Sequence, residues 1–451
     1  MLQQRRPRIE RLERYLEGHA PLPEAGKNLK ESYRDFQKKS RTNYAEVVVE
    51  ATAERMTPAG FRIGDNSDLS KDADLIWSAN ELDVIASDVH SDMLALGHGY
   101  AIVGGPDSNG VPIITREDPE LIITDHDPCR PNKVIAALKM YRDHVAAKDV
   151  AYLYLPGLVL KAEKMGAQTG EPDTGSGGYE WVGYERLPIA DAMPVIHFRN
   201  RRGLGEFETH TDLLDRINDM LLRRLIITAM QAFRQRAIKG DLPETQAKVD
   251  ENGEVVLDEA GDPVQEAVDW ADVFRPGAGA LWVGLPEGVD IWESQVTDIT
   301  PILAAVKDDV RDLAAVTRTP MSALLPDGQN QSAEGAQFAR EGLVFKCRDR
   351  IQRAGYGWNQ VMALALRFSG KAETILDIET LWESPERLTL SERADAAMKM
   401  TNLIPFRTLM TEIMQFSPEK AEEMETERLA DILASNLGVT PALPAASTNG
   451  V

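Results

Sequence analysis

The chain has 451 residues, 43% hydrophobic and 27% charged, with 72 acidic side chains against 50 basic ones and a formal net charge of −22. That balance describes a soluble globular protein with room for two to four cores, and no apolar run approaches the roughly 18 residues that span a bilayer. It also disfavours tight sequence-specific nucleic-acid binding, which relies on Lys and Arg displacing counterions from phosphates.

The opening stretch MLQQRRPRIERLERYLEG is too charged for a secretory signal, so a cytosolic site of synthesis is expected. Residues 8–17 read as a short amphipathic helix built on Ile9, Leu12, Tyr15 and Leu16, followed by the linker HAPLPEAGKNL. Asn43 suits the N-cap of a helix that carries Val47, Val48, Ala51 and Met56 and stops at Pro58 and Gly60. One further helix is expected from about Ser70 to Leu96, with Leu75, Ile76, Leu82, Ile85, Val89, Met93 and Leu94 on its apolar face.

The pattern then turns to strands, at 100–103, 111–115, 121–124, 133–142, 150–161, 179–185 and 194–198, with GAQTGEPDTGSGG as a loop tip. Together these make an α+β unit over 1–205. From Thr211 to Lys239 the period is helical, which predicts a rod roughly 43 Å long that ends at Gly240. Residues 241–272 hold eleven Asp or Glu and a single Lys, with a hairpin expected at Asn252-Gly253 and a small strand-containing module around it.

Thr300-Pro301 starts a second long helix, carried on Ile302, Leu303, Val306, Val310 and Leu313. The stretch TRTPMSALLPDGQNQ breaks it, with Met321, Leu324 and Leu325 expected exposed between two prolines. Ser332 caps a third helix that runs to Phe368 and is expected to kink near Gly355 and Gly357. A strand at 373–382, helices over 385–436 and a disordered tail complete the chain.

Chemistry is hard to find. No phosphate-binding Gly-x-x-x-x-Gly-Lys-Ser/Thr loop, no nucleophile elbow and no His-Glu-x-x-His occurs. Asp125-His126-Asp127 is the nearest thing to a ligand cluster, but it sits at a strand end before Pro128 and reads better as a solvated turn. Cys129 and Cys347 form no metal-type pair and read as free thiols. No catalytic residue, cofactor or metal is nominated.

Two features remain. Arg199, Arg201 and Arg202, with Arg223, Arg224, Arg234 and Arg236, form a basic run before the acidic insert. It reads either as a solvated helix face paired to Asp215 and Asp219, or as a site of intersubunit or phosphate contact. The loop from Arg318 to Gln331 is longer than most helix connections, which suits a functional segment.

Four stretches carry a family resemblance: NYAEVVVEATAERMTPAGFRIG, GHGYAIVGG, PVIHFRNRRGLGEFETHTDLLDRINDMLLRRLIITAMQAFRQRAIKG and VTRTPMSALLPDGQNQSAEGAQFAREGLVFKCRDR. With this order of parts the chain resembles the portal (head-to-tail connector) proteins of tailed bacteriophages, of the type found in long-tailed phages of Gram-positive hosts. The resemblance covers nearly the whole chain and rests on architecture, not on a catalytic motif.

It implies a mostly helical α+β subunit that closes, in about twelve copies, around an axial channel for double-stranded DNA. Residues 1–205 with 369–385 would form the wing, 206–240 and 293–317 the paired stem helices, and 241–292 the clip. Residues 318–331 would be the tunnel loop, 332–368 the long helix behind it, 386–436 the crown and 437–451 a disordered tail. Tunnel-loop residues close to DNA would be Pro320, Met321, Leu324, Leu325, Pro326, Asp327, Gln329, Asn330 and Gln331, a segment without Lys or Arg. Asp250, Glu251, Glu254, Asp258, Glu259, Asp262, Trp270 and Asp272 would meet the packaging motor and later the head–tail adaptor. Arg223, Arg224, Arg234 and Arg236 would serve subunit contacts or phosphate.

The implied partners are the chain itself, weakly and non-specifically held DNA, the large terminase, the head–tail adaptor, and the major capsid and scaffold proteins, with no membrane. The implied place is the portal vertex of the virion, after synthesis in the host bacterial cytoplasm. Two other readings are open to the sequence: a soluble oligomeric scaffold or adaptor without a DNA channel, and an enzyme whose site is too dispersed to recognise.

Overall fold

The computed structural model describes residues 1–23, 31–64, 66–166, 170, 172, 175, 177–232, 236–240, 244–250, 253–269, 290–293, 297–325, 333–371, 377–386, 390–401, 403–414, 416 and 418–436. The chain divides into two compact units. One comprises Met1–Ala25, Arg41–Asn218 and Lys307–Val451; the other comprises Gly26–Ser40 and Asp219–Val306.

In the larger unit, α1 (Leu2–Leu16) buries Leu2, Ile9, Leu12 and Tyr15 at helical spacing. Helix α3 (Tyr44–Ala53) begins where expected, with Asn43 Oδ1 accepting from the Glu46 N–H; α2 (Glu31–Lys39) precedes it and belongs to the smaller unit. The helix expected over 70–96 is two: α4 (Ser67–Ala79) and α5 (Leu82–Leu96). Glu81 separates them with φ of 53°, and its left-handed backbone breaks the ladder that periodicity alone would continue.

Three sheets follow. Strand β1 (Pro58–Ile63) pairs antiparallel with β14 (Ile378–Trp382), joining an early strand to the distal part of the chain. Strands β2 (His98–Pro106), β3 (Pro112–Glu117) and β9 (Val195–Arg199) form a sheet in the order β3-β2-β9. A five-stranded antiparallel meander runs through β4 (Ile122–Asp127), β5 (Arg130–Asp143), β6 (Lys148–Leu155), β7 (Leu158–Met165) and β8 (Glu180–Arg186). The single strand expected over 150–161 is thus two strands of a hairpin. Gly157, with φ of 72° and Ala190 O 2.2 Å from where a Cβ would sit, makes that turn.

Helix α9 (Ala333–Phe368) is continuous over 36 residues. Its glycines permit contact instead of the expected kink: a Cβ on Gly357 would lie 2.3 Å from the Phe198 ring. Around that approach the core is aromatic. Trp358 is fully buried, donates to His90 Nε2 at 2.8 Å, and stacks edge-on with Trp77 and tilted on Phe198. Burial pulls the His90 pKa down to about 3, so the ring is neutral and can accept that bond. Helix α10 (Leu390–Met400), a turn at 406–413 and α11 (Pro418–Asn436) complete the unit.

Helix α6 spans Thr211–Ala232, seven residues short of the expected end. Residues Arg236–Lys239 form β10 instead, paired with β13 (Asp290–Glu293), so cross-strand bonds take the backbone groups that a longer helix would have paired internally. The smaller unit also holds β11 (Thr245–Ala247) and β12 (Gln265–Ala267), again antiparallel. Helix α7 (Thr300–Thr317) opens as expected, with Asp298 accepting from the Thr300 N–H at 2.9 Å, and the one-turn α8 (Met321–Leu324) follows.

Candidate functional site

Close backbone approaches build a charged site at the end of α5. Gly97 ends α5 at φ of 84°, and a Cβ there would meet Gly203 O at 2.4 Å; a Cβ on Gly205 would meet Ala95 O at 2.0 Å. Both glycines let the 200–206 loop lie directly on the end of α5. Asn200 is buried and fastens the loop from inside: its Nδ2 donates to Leu204 O and Glu206 Oε1, and its Oδ1 accepts from Arg201 N–H. Arg202 is held in the left-handed region at φ of 59°, and Arg8 donates to Gly203 O and to Glu208.

A cleft of about 630 Å³ opens beside this loop, lined by residues from 200–210, the end of α7 and α9. Its floor is an ion-pair network. Arg350 Nε donates to Glu206 Oε1 at 2.6 Å, both side chains being at most 10% exposed, and Arg350 also pairs with Asp349. Burial works against the Glu206 carboxylate, yet the Arg350 hydrogen bond and the Lys346 and Arg350 charges hold its pKa below the usual glutamate value. Burial lowers the Lys346 pKa, with Glu206 opposing. Lys346 donates to Thr317 O at 2.9 Å and so closes the C-terminal end of α7, where a helix leaves carbonyls without partners.

A second hollow of about 530 Å³ shares Asn200, Arg202, Asp349 and Arg353 with the first and extends to His126 and His197. Across the two, among the described residues, the cations Arg199, Arg201, Arg202, Arg318, Lys346, Arg350 and Arg353 are lined up against two carboxylates, Glu206 and Asp349. Behind this hollow three histidines form a chain. His98 Nδ1 lies 2.9 Å from His197 Nε2, and His197 Nδ1 lies 3.0 Å from His126 Nε2. Tyr100 stacks on His197 at 4.7 Å. Burial, then the nearby Arg5, Arg8 and Arg199 charges, lowers the His98 pKa to about 3; His197 and His126 are lowered also. Neutral imidazoles donate at one nitrogen and accept at the other, so the rings form a relay. Their nitrogens face one another and do not converge on a point as metal ligands do.

The sequence singled out Arg199, Arg201 and Arg202, which the fold joins to the α9 cations. It missed Lys346, Arg350, Arg353 and the histidine chain. Asp125-His126-Asp127 is the end of β4, where Asp127 Oδ1 accepts from Cys129 N–H in the turn that follows, while His126 joins the relay.

The other expected site residues are distributed differently. Of the tunnel-loop set, Pro320, Met321, Leu324 and Leu325 are described. Leu324, expected exposed, is buried at 5%, and α8 lies against α3. Of the clip set, Asp250, Glu254, Asp258, Glu259 and Asp262 are all exposed on two tight turns: Asp250 Oδ1 accepts from Glu254 N–H, and Asp258 Oδ1 accepts from Ala260 and Asp262 N–H. Of the turn expected at Asn252-Gly253, Asn252 lies outside the described residues, and Gly253 has φ of 83° with its N–H donating to Asp250 O at 3.0 Å. Arg223 is exposed and Arg224 half-buried on α6, and the backbone of Arg236 lies in β10. Asp215 has another partner: it accepts from the Tyr15 hydroxyl at 2.7 Å. Pro326, Asp327, Gln329, Asn330, Gln331, Glu251, Trp270, Asp272, Arg234 and the 437–451 tail lie outside the described residues.

Comparison with known proteins accounts for the architecture. The family described as "Phage portal protein, SPP1 Gp6-like" matches residues 2–432. The portal proteins of Mycobacterium phages L5 and D29 are each 25% identical over 409 residues, covering 85% of this chain and 78% of theirs. Chains from the necks of native and empty GTA particles, solved with C12 and C6 symmetry, align at TM-scores of 0.43 and 0.45 with 12% and 13% identity. They cover 90% and 91% of this chain and 98% and 94% of theirs, and at those scores add nothing to the assignment. The family match spans the sheets of the larger unit, α6, α7, the acidic insert and α9 alike, and on that ground the chain belongs to the phage portal protein family.

Proposed function

We propose that this chain closes into a ring of about twelve copies at one vertex of the capsid, and that double-stranded DNA passes through its centre during packaging and ejection. The observation that carries this reading is the family match over residues 2–432. The 1–205 sheets with 369–385 act as the wing, α6 and α7 as the stem, the acidic insert as the clip, 318–331 as the tunnel loop, α9 as the helix behind it and 386–436 as the crown. The clip docks the ATP-driven large terminase and afterwards the head–tail adaptor, while the capsid and scaffold proteins surround the wing. The chain itself does no chemistry and is made in the bacterial host cytoplasm. Its acidity suits a conduit, since a phosphate backbone held loosely can slide. The scaffold reading without a channel has no separate support.

Solution mass and negative-stain imaging test the proposal. A ring near 600 kDa with a central hole is expected from a 49.9 kDa chain. A monomer or dimer that stays so after addition of capsid and scaffold proteins overturns it.

A further inference from the structure

We infer that the basic cleft between the 200–210 loop and α9 is a receptor for an acidic segment of a second copy of this chain. The inference rests on the ring reading above and adds to it the surface through which neighbours recognise one another. Seven cationic side chains face two carboxylates there, in a chain whose formal charge is −22. The two carboxylates are already engaged by Arg350 and Arg353. Arg199, Arg201, Arg202 and Arg318 pair with no carboxylate among the described residues, and all four are exposed. Arg202 and Arg318 also sit at positive φ, so two of the exposed cations occupy backbone positions that nothing in the local sequence favours.

The shape selects the occupant. Hollows of about 630 and 530 Å³ are the size of a few side chains, and Lys346 and Arg350 lie at the floor of the larger one with 4% and 10% side-chain exposure. A duplex is a convex rod that cannot bring phosphates to such a floor, whereas a carboxylate on a protruding side chain or loop can. A closed ring of identical subunits uses heterologous contacts, in which one patch meets a different patch on the next copy. A concentrated basic cleft on an otherwise anionic chain supplies one such patch, and any neighbour supplies acid.

The test compares wild type, R201E/R202E and R201K/R202K by mass in solution across a range of subunit concentrations. Far-ultraviolet circular dichroism checks that each is folded. The charge reversal is expected to raise the concentration at which rings form by at least about tenfold, as loss of a buried charge pair does at interfaces, while the lysine variant stays close to wild type. Rings of R201E/R202E at wild-type concentrations overturn the inference. If its affinity for a short DNA duplex falls at the same time, the cleft is a phosphate site; if not, it is a solvated face. Wild-type protein that never forms rings overturns the functional reading instead, and this inference with it. Hydrogen exchange gives a readout independent of the variants. Amides of 200–206 are expected to exchange more slowly in wild-type rings than in subunits dissociated by high salt, and equal exchange overturns the inference.

Discussion

Arg350 and Glu206 are nearly sealed from solvent, and these paired groups are 144 residues apart in sequence. Between Asp250 and Asp262 every described acid is exposed, and the bonds that Asp250 and Asp258 accept come from backbone N–H groups up to four residues away. One region uses charge to hold distant segments together; the other uses it to shape two turns and then displays the rest. Charge of the first kind is part of the fold, and charge of the second kind is available to partners.

Removing Arg350 should have the largest effect. Arg350→Ala leaves Glu206 buried without its main partner, and a loss of about 3–5 kcal/mol in denaturant unfolding is expected. A loss under about 1 kcal/mol would mean that Lys346 and Asn200 suffice, and the contrast between the regions would weaken.

Next comes the histidine chain behind the cleft. His98 has a folded pKa near 3 against an ordinary value of 6.5, so below about pH 6.5 the unfolded chain takes up a proton that the folded chain refuses. Its contribution is fully present above pH 6.5 and is lost as pH falls toward 3, at a slope of about 1.4 kcal/mol per pH unit. Other groups titrate in the same window and in the opposite sense, among them Glu13, raised to about 7, and Asp92, raised to about 6, both chiefly by burial. The informative quantity is therefore a difference. His98→Asn should lose stability between pH 7 and pH 5 less steeply than wild type, and identical slopes would remove His98 from the account.

The smallest effect is expected in the insert. Glu254→Gln with Glu259→Gln should change unfolding stability by no more than about 0.5 kcal/mol, because both side chains are exposed. A clear drop in the thermal midpoint would show that these acids are structural after all.

What the sequence made legible follows the range of the interactions involved. Caps and turns are local: the cap at Asn43, the helix start at Thr300 and the positive φ of Gly253 all appear near their expected places, because each depends on residues within four positions. The break at Glu81 and the end of α6 at Ala232 were missed. The first depends on a backbone angle with no residue signature, and the second on a strand partner more than fifty residues away. The basic run at 199–202 was visible as composition. Its joining to Lys346, Arg350 and Arg353 was not, nor was the meeting of His98, His126 and His197, since the pairing of β2 with β9 sets His98 beside His197 and His126 comes from a different sheet.

The bond from Lys346 to the last carbonyl of α7 has a mechanical consequence. Helices unravel from their ends, where carbonyls have no internal partner. Here that end is stapled by a buried side chain from α9, and Thr317 is further tied to Leu313 O and Thr319. A pull on the chain beyond Thr319 therefore meets a fixed anchor point. The strain passes sideways into a 36-residue strut and does not peel α7 open turn by turn.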